Sequence, residues 1–186
     1  MNVSDLKPNH LNYSWKRDPL LWAYSVLLII PIIMVFIFFN YYQLYFCVCA
    51  GWALLIFSIV LILLAGYEFG MKGGAPEGES LVHTTVLVDS GVYAFVRHPQ
   101  YLGFMLFVFA LVSMSQHWLS VFSGVLGSAL FYKDVLREEQ MSIVKFGDEY
   151  ERYMQKVPRM NFILGIIRLL KRGKKDESSF ASCLQH

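Results

Sequence analysis

The sequence predicts an all-α integral membrane protein with four transmembrane helices. Of its 186 residues, 56% are hydrophobic and 16% are charged, whereas soluble domains carry about 25% charged residues. Residues 20–39 and 44–65 contain no Asp, Glu, Lys or Arg. Each segment is close to the roughly 20 residues that a helix needs to cross the hydrocarbon core. We therefore predict that they form the first and second spans.

A third charge-free segment covers residues 99–132, which is too long for one comfortable crossing. The polar stretch Ser113-Met-Ser-Gln-His117 interrupts it near its middle. This pattern predicts two shorter spans, residues 99–115 and 118–134, joined by a tight turn as a helical hairpin. Pro99 suits the first position of the third span, because its missing N–H would be unpaired there in any case.

The distribution of Lys and Arg predicts the orientation. When the loop 40–43 and the turn 115–118 are placed on one side of the membrane, all 16 Lys and Arg residues lie on the other side. This positive-inside pattern predicts cytoplasmic N- and C-termini. The first span begins late and lacks a cleavage site, so we expect it to remain as an anchor. The expected location is a bacterial or archaeal plasma membrane, or the endoplasmic reticulum in a eukaryote.

The remaining segments complete a single membrane domain over residues 1–186. A loop, residues 66–98, separates the second and third spans. Apolar residues at helical spacing predict a cytoplasmic helix over residues 135–157, and residues 171–186 are expected to form a flexible tail. The basic C-terminal segment suits anionic lipid better than nucleic acid. The histidines show no metal-ligand spacing, so no metal is expected.

Two clusters of charged and aromatic residues flank the predicted hairpin at the same membrane face. They are Tyr93, Arg97, His98 and Tyr101 before and at the start of the third span, and Glu138 and Glu139 after the fourth. Arginine and a helix N-terminus bind carboxylates, aromatic rings face cations or stack on bases, and glutamates accept hydrogen bonds from hydroxyls or an amine. S-adenosylmethionine carries all of these partner groups.

The same residues also allow readings that involve no ligand. Arg97 can place its charge in the interface while its stem lies in the membrane, and His98 can cap the helix. Glu138 and Glu139 can be solvated, or paired with cations along their own helix.

Several motifs occur in a fixed order along the chain. They are Leu87–Tyr93 (LVDSGVY), Arg97–Gly103 (RHPQYLG), Arg137–Glu139 (REE), Phe146–Tyr150 (FGDEY) and Val157–Arg159 (VPR). This combination resembles the isoprenylcysteine carboxyl methyltransferase family and its prokaryotic relatives, with phospholipid N-methyltransferases as more distant kin.

The resemblance implies a membrane methyltransferase that uses S-adenosylmethionine as its cofactor. Carried over by motif, the residues that line or contact the cofactor are Thr85, Val86, Leu87, Val88, Tyr93, His98, Pro99, Gln100, Tyr101, Glu138 and Glu139. Arg97 and Glu138 are the candidate catalytic residues, which would polarise the methyl acceptor.

The membrane setting implies a lipophilic or prenylated acceptor, either an isoprenylcysteine carboxylate or a lipid-like molecule, together with bilayer lipid. The family more usually has serine at the position of Gln100, and its eukaryotic members have more spans before the loop, so the acceptor stays open. Two alternatives remain. One is an NADPH-dependent membrane reductase of the sterol type, whose members carry a similar Arg-His-Pro triplet. The other is a non-enzymatic four-helix membrane protein.

Overall fold

The computed structural model describes residues 19–74 and 85–171, and every regular element in these ranges is helical. The elements are α1 (Pro19–Ile37), α2 (Tyr45–Lys72), a 3-10 turn (Gly91–Ala94), α3 (Pro99–Ser115), α4 (Trp118–Phe146), α5 (Asp148–Lys156) and α6 (162–171). The predicted helical fold is therefore confirmed for the described part of the chain. The predictions for residues 1–18, for residues 75–84 of the loop and for residues 172–186 lie outside it.

Cα packing divides the chain into two compact units. Among the described residues, the first unit contains residues 19–62 and 100–147, and the second contains residues 63–74, 85–99 and 148–171.

Two helices are long and apolar enough to cross a membrane, namely α2 and α4. With 28 residues at a rise of about 1.5 Å per residue, α2 is about 42 Å long, which exceeds the roughly 30 Å of a hydrocarbon core. α1 and α3 are shorter apolar helices. α2 exposes many large apolar side chains, among them Phe46 and Leu63. This exposure is typical of a lipid-facing surface and supports a membrane protein.

The helix boundaries agree with the predicted segments at α3 and differ at the ends of α2 and α4. α2 continues to Lys72, so residues 66–72 are helical and do not belong to the loop predicted over residues 66–98. α3 covers residues 99–115 as predicted. By contrast, residues 135–146 continue α4 and do not begin a separate helix over 135–157. Gly147 ends α4 with a φ of 55°, a conformation that glycine adopts without steric cost. α5 then begins at Asp148 with an acidic first turn, which the helix dipole favours.

Small residues on α4 allow α1 and α3 to approach closely in the first unit. A Cβ atom at Gly127 would lie 3.0 Å from the side chain of Leu28, and one at Gly124 would lie 2.9 Å from Val112 of α3. Ser120 and Ser123 on the same helix are also buried. Small side chains at helix interfaces are the usual means of packing in a membrane, where no hydrophobic force drives helices together.

The turns after α1 and α3 are joined by two backbone hydrogen bonds, from Asn40 N to the Met114 carbonyl at 2.8 Å and from Tyr41 N to the Ser115 carbonyl at 3.3 Å, and by the side chain of Gln116. Its Oε1 accepts hydrogen bonds from the backbone N–H groups of Tyr42 and Leu44, both at 3.2 Å. Its Nε2 donates to Asn40 Oδ1 and to the Leu44 carbonyl oxygen, both at 2.9 Å. Asn40 and Gln116 have φ values of 54° and 56°, so the backbone adopts left-handed geometry at both turns to permit this arrangement.

Candidate functional site

In the second unit, Thr85 and Val86 lie next to the C-terminal end of α2. The backbone N–H groups of Thr85 and Val86 donate to the Gly73 carbonyl at 2.9 and 3.1 Å. The Thr85 hydroxyl donates to the Gly74 carbonyl at 2.9 Å. Thr85 and Val86 are exposed, whereas Val88 is buried. Of the four predicted cofactor-lining residues here, two are therefore accessible and Val88 packs into the core.

Glu68 on α2 holds the 3-10 turn at Gly91–Ala94. Its Oε2 accepts a hydrogen bond from Val92 N at 3.0 Å, and Lys72 Nζ lies 3.9 Å from the same oxygen. Lys72 also donates to the Ser90 hydroxyl at 3.0 Å. Gly91 has a φ of 62°, and a Cβ atom there would overlap the Glu68 carboxylate. The turn thus needs glycine both for its backbone angle and for the space that Glu68 occupies.

Contacts hold the ring, the hydroxyl and the backbone carbonyl of Tyr93. Its ring packs in a small core with Ala65 and Val88, and its hydroxyl donates to the Ala65 carbonyl at 3.4 Å. The Tyr93 carbonyl accepts a hydrogen bond from the Tyr153 hydroxyl of α5 at 2.7 Å. Burial raises the pKa of the Tyr153 phenol, and the neighbouring Tyr150 and Tyr93 act in the same direction. Tyr153 therefore remains a protonated donor throughout the physiological range.

The Arg-His-Pro motif is held by the Val-Pro-Arg motif. Arg97 N donates to the Pro158 carbonyl at 3.0 Å, and His98 N donates to the Arg159 carbonyl at 3.2 Å. Arg97 and His98 are both buried, with 9% and 5% of their surfaces exposed. Two motifs some sixty positions apart in the chain thus meet by direct backbone hydrogen bonds.

Close packing beyond these bonds also fixes the segment. The Phe95 ring stacks on Phe162 of α6, with centroids 5.6 Å apart. Gly165 lies so close to the Phe95 carbonyl that any Cβ atom would overlap it. A buried guanidinium and a buried imidazole are consequently presented by a segment that α2, α5 and α6 hold in place.

The first unit contains the other predicted site residues. Gln100 is exposed at the start of α3, and Tyr101 follows it. Glu138 of α4 lies near enough to Tyr101 to affect its hydroxyl group. Glu139 is buried, with 2% of its surface exposed. The phenol and the carboxylate that the sequence places at the two ends of the hairpin are therefore neighbours in the first unit.

A pocket opens beside this pair. It has a volume of about 180 Å³ and is lined by Gln100, Tyr101, Phe104 and Phe131. Three of the four lining side chains are aromatic, so the pocket suits an apolar or flat group. Gln100 adds one polar amide at its edge.

Three residues beside these sites were not singled out from the sequence. Glu68 holds the turn before α3, and the only sequence signal for it is its spacing of four from Lys72. Asp134 is buried in α4 and accepts a hydrogen bond from the Tyr24 hydroxyl of α1 at 3.3 Å. A lone Asp near the end of an apolar run resembles a boundary residue, and its partner lies 110 positions away.

Comparison with known proteins identifies relatives of this chain. Residues 79–145 match the model of the isoprenylcysteine carboxyl methyltransferase (ICMT) family. A protein-S-isoprenylcysteine O-methyltransferase of Schizosaccharomyces pombe is 39% identical over 75 residues, which cover 39% of this chain and 31% of that protein. Proteins of the same name from Homo sapiens and Rattus norvegicus are 36% identical over 85 residues and 31% identical over 119 residues.

The similarity covers only part of each relative. The human match covers 45% of this chain and 30% of the relative, and the rat match covers 63% and 42%. The chain thus spans less than half the length of these curated relatives. No solved structure matches the chain. The comparisons agree with the resemblance that the motifs indicated, since residues 79–145 of this chain are similar to the isoprenylcysteine carboxyl methyltransferase family.

Proposed function

We propose that this protein is an integral membrane methyltransferase. It transfers a methyl group from S-adenosylmethionine to a lipophilic acceptor, an isoprenylcysteine carboxylate or a lipid-like molecule, at the cytoplasmic membrane face. The observation that carries the proposal is the pair of hydrogen bonds that joins Arg97 and His98 to Pro158 and Arg159. These bonds bring together two of the motifs that carry the resemblance, and the two side chains best suited to an anionic group, Arg97 and His98, are buried there.

The donor set fits S-adenosylmethionine by its chemistry. A buried guanidinium beside an imidazole suits the carboxylate of the cofactor, and Tyr93, His98, Pro99, Gln100 and Tyr101 are the assigned contact residues. Glu138 and Glu139 supply acceptors for an ammonium or ribose hydroxyls. Thr85, Val86, Leu87 and Val88 complete the assignment by motif. When bound, the cofactor supplies an electrophilic methyl group on a sulfonium.

The nucleophilicity of the acceptor determines what the protein must contribute to the reaction. A carboxylate is already nucleophilic at neutral pH, so the chain must mainly bind it, orient it and exclude water. In the proposed assignment Arg97 and Glu138 polarise the acceptor. An amine or thiol acceptor would first have to lose a proton, which a carboxylate such as Glu138 can take.

The proposed arrangement in the bilayer has four spans formed by α1–α4, with α3 and α4 as the hairpin. Both termini then face the cytoplasm, as the positive-inside rule requires. The length and apolar composition of α2 and α4 support this arrangement.

Ligand binding to the full chain in detergent tests the proposal. S-adenosylmethionine and S-adenosylhomocysteine should raise the melting temperature, and NADPH should not. His98→Ala and Glu139→Gln should each lower the affinity for S-adenosylmethionine in calorimetry while the protein stays folded, and Tyr45→Phe, at an exposed position of α2, should not. Stabilisation by NADPH alone would favour a reductase, and no response to any of the three would favour a non-enzymatic protein.

The acceptor is identified in a second assay. Methyl transfer is measured to an N-acetylated S-farnesylcysteine with a free carboxylate and, in parallel, to phosphatidylethanolamine in mixed micelles. The proposal expects transfer to one of them, with loss of activity in Arg97→Gln. Cofactor binding without transfer to either lipophilic acceptor would refute the proposed acceptor class.

A further inference from the structure

Helix α6 in the second unit exposes a stripe of apolar side chains along one face. The stripe consists of Ile163, Ile166, Ile167 and Leu170, and the two end residues, Ile163 and Leu170, have 72% and 64% of their surfaces exposed. Their spacing of three and four positions places all four on one side of the helix. Exposure of such a stripe to water is unfavourable, so the stripe needs an apolar partner.

The other side of α6 packs on the segment that precedes α3. Gly165 lies against the Phe95 carbonyl, and the Phe162 ring stacks on the Phe95 ring. The Asn161 side-chain oxygen accepts a hydrogen bond from Leu164 N at 2.9 Å, as a residue that caps a helix N-terminus does. Because one side of α6 is packed in this way, the helix must present its stripe outward.

α5 belongs to the same unit and exposes a different chemistry. All its exposed side chains are polar or charged, for example Glu151, Arg152 and Gln155, whereas Tyr150 and Tyr153 are buried. This helix therefore shows the surface that is usual for contact with water. The apolar surface of α6 is a property of that helix and not of the whole unit.

The charge around the stripe is of one sign. Arg168 and Lys171 lie in α6, and residues 162–175 contain five Lys or Arg and no Asp or Glu. An apolar face accompanied by cations is typical of a helix that lies in the plane of a membrane, with its apolar side chains at the acyl boundary and its cations among anionic headgroups. This chemistry favours an anionic bilayer surface as the partner.

The second unit also contains the end of α2, where the first charged residues of that helix, Glu68 and Lys72, occur. Charges at the end of an apolar span mark its exit from the bilayer. Glu68 accepts a hydrogen bond from Val92 N at 3.0 Å, and the turn that it holds leads to Phe95, on which α6 packs. Contacts within one unit therefore connect α6 to the end of a span.

We propose that α6 is an in-plane membrane helix, which rests its stripe on the cytoplasmic leaflet and binds anionic phospholipid through Arg168 and Lys171. Because α6 packs on Phe95, its docking also holds at the bilayer surface the segment that leads to Arg97 and His98. This inference rests on the proposed function, since it takes the chain to cross a membrane with its basic side in the cytoplasm.

Quenching of a fluorescent label by brominated lipid tests the docking. The full chain, with its three natural cysteines replaced by alanine, is reconstituted into nanodiscs of phosphatidylcholine and phosphatidylglycerol in equal amounts. A bimane label is attached to one new cysteine at a time. Ile163→Cys reports on the stripe, Gln155→Cys is the control that faces water, and Ile59→Cys, at an exposed position in the middle of α2, is the control that faces lipid.

Bromine on the acyl chains quenches only a label that touches them. Quenching at Ile163→Cys should be several-fold stronger than at Gln155→Cys and close to that at Ile59→Cys. If Ile59→Cys is quenched and Ile163→Cys is not, the docking is overturned, and the stripe is covered by protein, either another segment or a second copy of this chain. If Ile59→Cys itself is not quenched, the proposed membrane insertion is refuted.

The preference for anionic lipid is measured with the label at Ile163→Cys and the bromine on only one of the two lipids. Each cation near the surface favours anionic lipid by roughly fivefold, so brominated phosphatidylglycerol should quench more strongly than brominated phosphatidylcholine. Arg168→Gln with Lys171→Gln should reduce this difference several-fold. Arg152→Gln with Lys156→Gln removes the same charge from exposed positions of α5 and should not. Equal quenching by the two lipids, or equal effects of the two double variants, would overturn the anionic-lipid contact.

Discussion

Replacement of Gly91 by alanine should release the segment that presents Arg97 and His98. Gly91 has a φ of 62°, and a Cβ atom would overlap the Glu68 carboxylate that accepts from Val92 N at 3.0 Å. The backbone angle costs about 1–2 kcal/mol for a residue with a side chain. Displacement of Glu68 removes a hydrogen bond to a charged group, worth about 1.5–3 kcal/mol. Because Glu68 is partly exposed to solvent, we take the lower part of that range, and the sum is about 3 kcal/mol.

The measurement is amide hydrogen exchange over residues 90–97 of the full chain in detergent. Loss of about 3 kcal/mol of local stability should speed exchange through local opening by roughly a hundredfold. Gly147→Ala is the control, because Gly147 also has a positive φ, of 55°, but lies outside this segment with nothing within 4 Å of its Cβ position. It should leave exchange over residues 90–97 unchanged.

A double-variant cycle isolates the collision. Glu68→Ala alone should cost the hydrogen bond, and Gly91→Ala should cost the hydrogen bond and the backbone angle together. The combined variant should then be no worse than Gly91→Ala, because the bond is already lost and the collision is gone. Strictly additive costs, or equal effects of Gly91→Ala and Gly147→Ala, would refute the reasoning.

Three further predictions concern other parts of the molecule. Burial raises the pKa of the Tyr153 phenol, so the protonated phenol stabilises the fold fully below a pH of about 10, and this stabilisation falls above that pH by up to about 1.4 kcal/mol per pH unit. The free energy of unfolding of Tyr153→Phe, measured between neutral and alkaline pH, should lack this fall. Parallel curves for the variant and the wild type would contradict the prediction. Gly165→Ala should destabilise the second unit by about 1–3 kcal/mol, because its Cβ would overlap the Phe95 carbonyl. Gly70→Ala, with open space around it, should stabilise α2 by about 0.5–1 kcal/mol. A higher melting temperature for Gly165→Ala than for Gly70→Ala would contradict the packing. Gln116→Leu should lower the melting temperature markedly, since four hydrogen bonds of about 1 kcal/mol each are lost, and an unchanged melting temperature would show that the turns are held by other means.

The sequence predicts helices well where local chemistry decides them. Pro99 begins α3 and the polar residues up to His117 end it and cap α4, because proline and capping side chains act within one turn. The end of α4 was less predictable. Residues 135–146 keep helical periodicity without a break, and only Gly147, with its left-handed φ, ends the helix.

The site was predictable in its residue types but not in its supports. Arg97 and His98 stand in a motif, whereas the carbonyls that bind their N–H groups belong to Pro158 and Arg159. Every residue type has a backbone carbonyl, so periodicity and composition do not reveal which carbonyls accept these hydrogen bonds. Asp134 illustrates the same limit for a side chain, because its significance depends on Tyr24 in a helix that is remote in the chain.

The bonds made by Gln116 bear on how the protein assembles. Each of its four side-chain hydrogen bonds goes to a residue between Asn40 and Leu44, more than seventy positions earlier. During synthesis the turn after α1 therefore leaves the ribosome long before its partner exists, and it cannot form these bonds until Gln116 has been made. Association of the pair α1–α2 with the pair α3–α4 is thus a late step that follows translation of α3. The hydrogen bonds of Gln116 stabilise the correct register of the two pairs, because a shifted register would not form them.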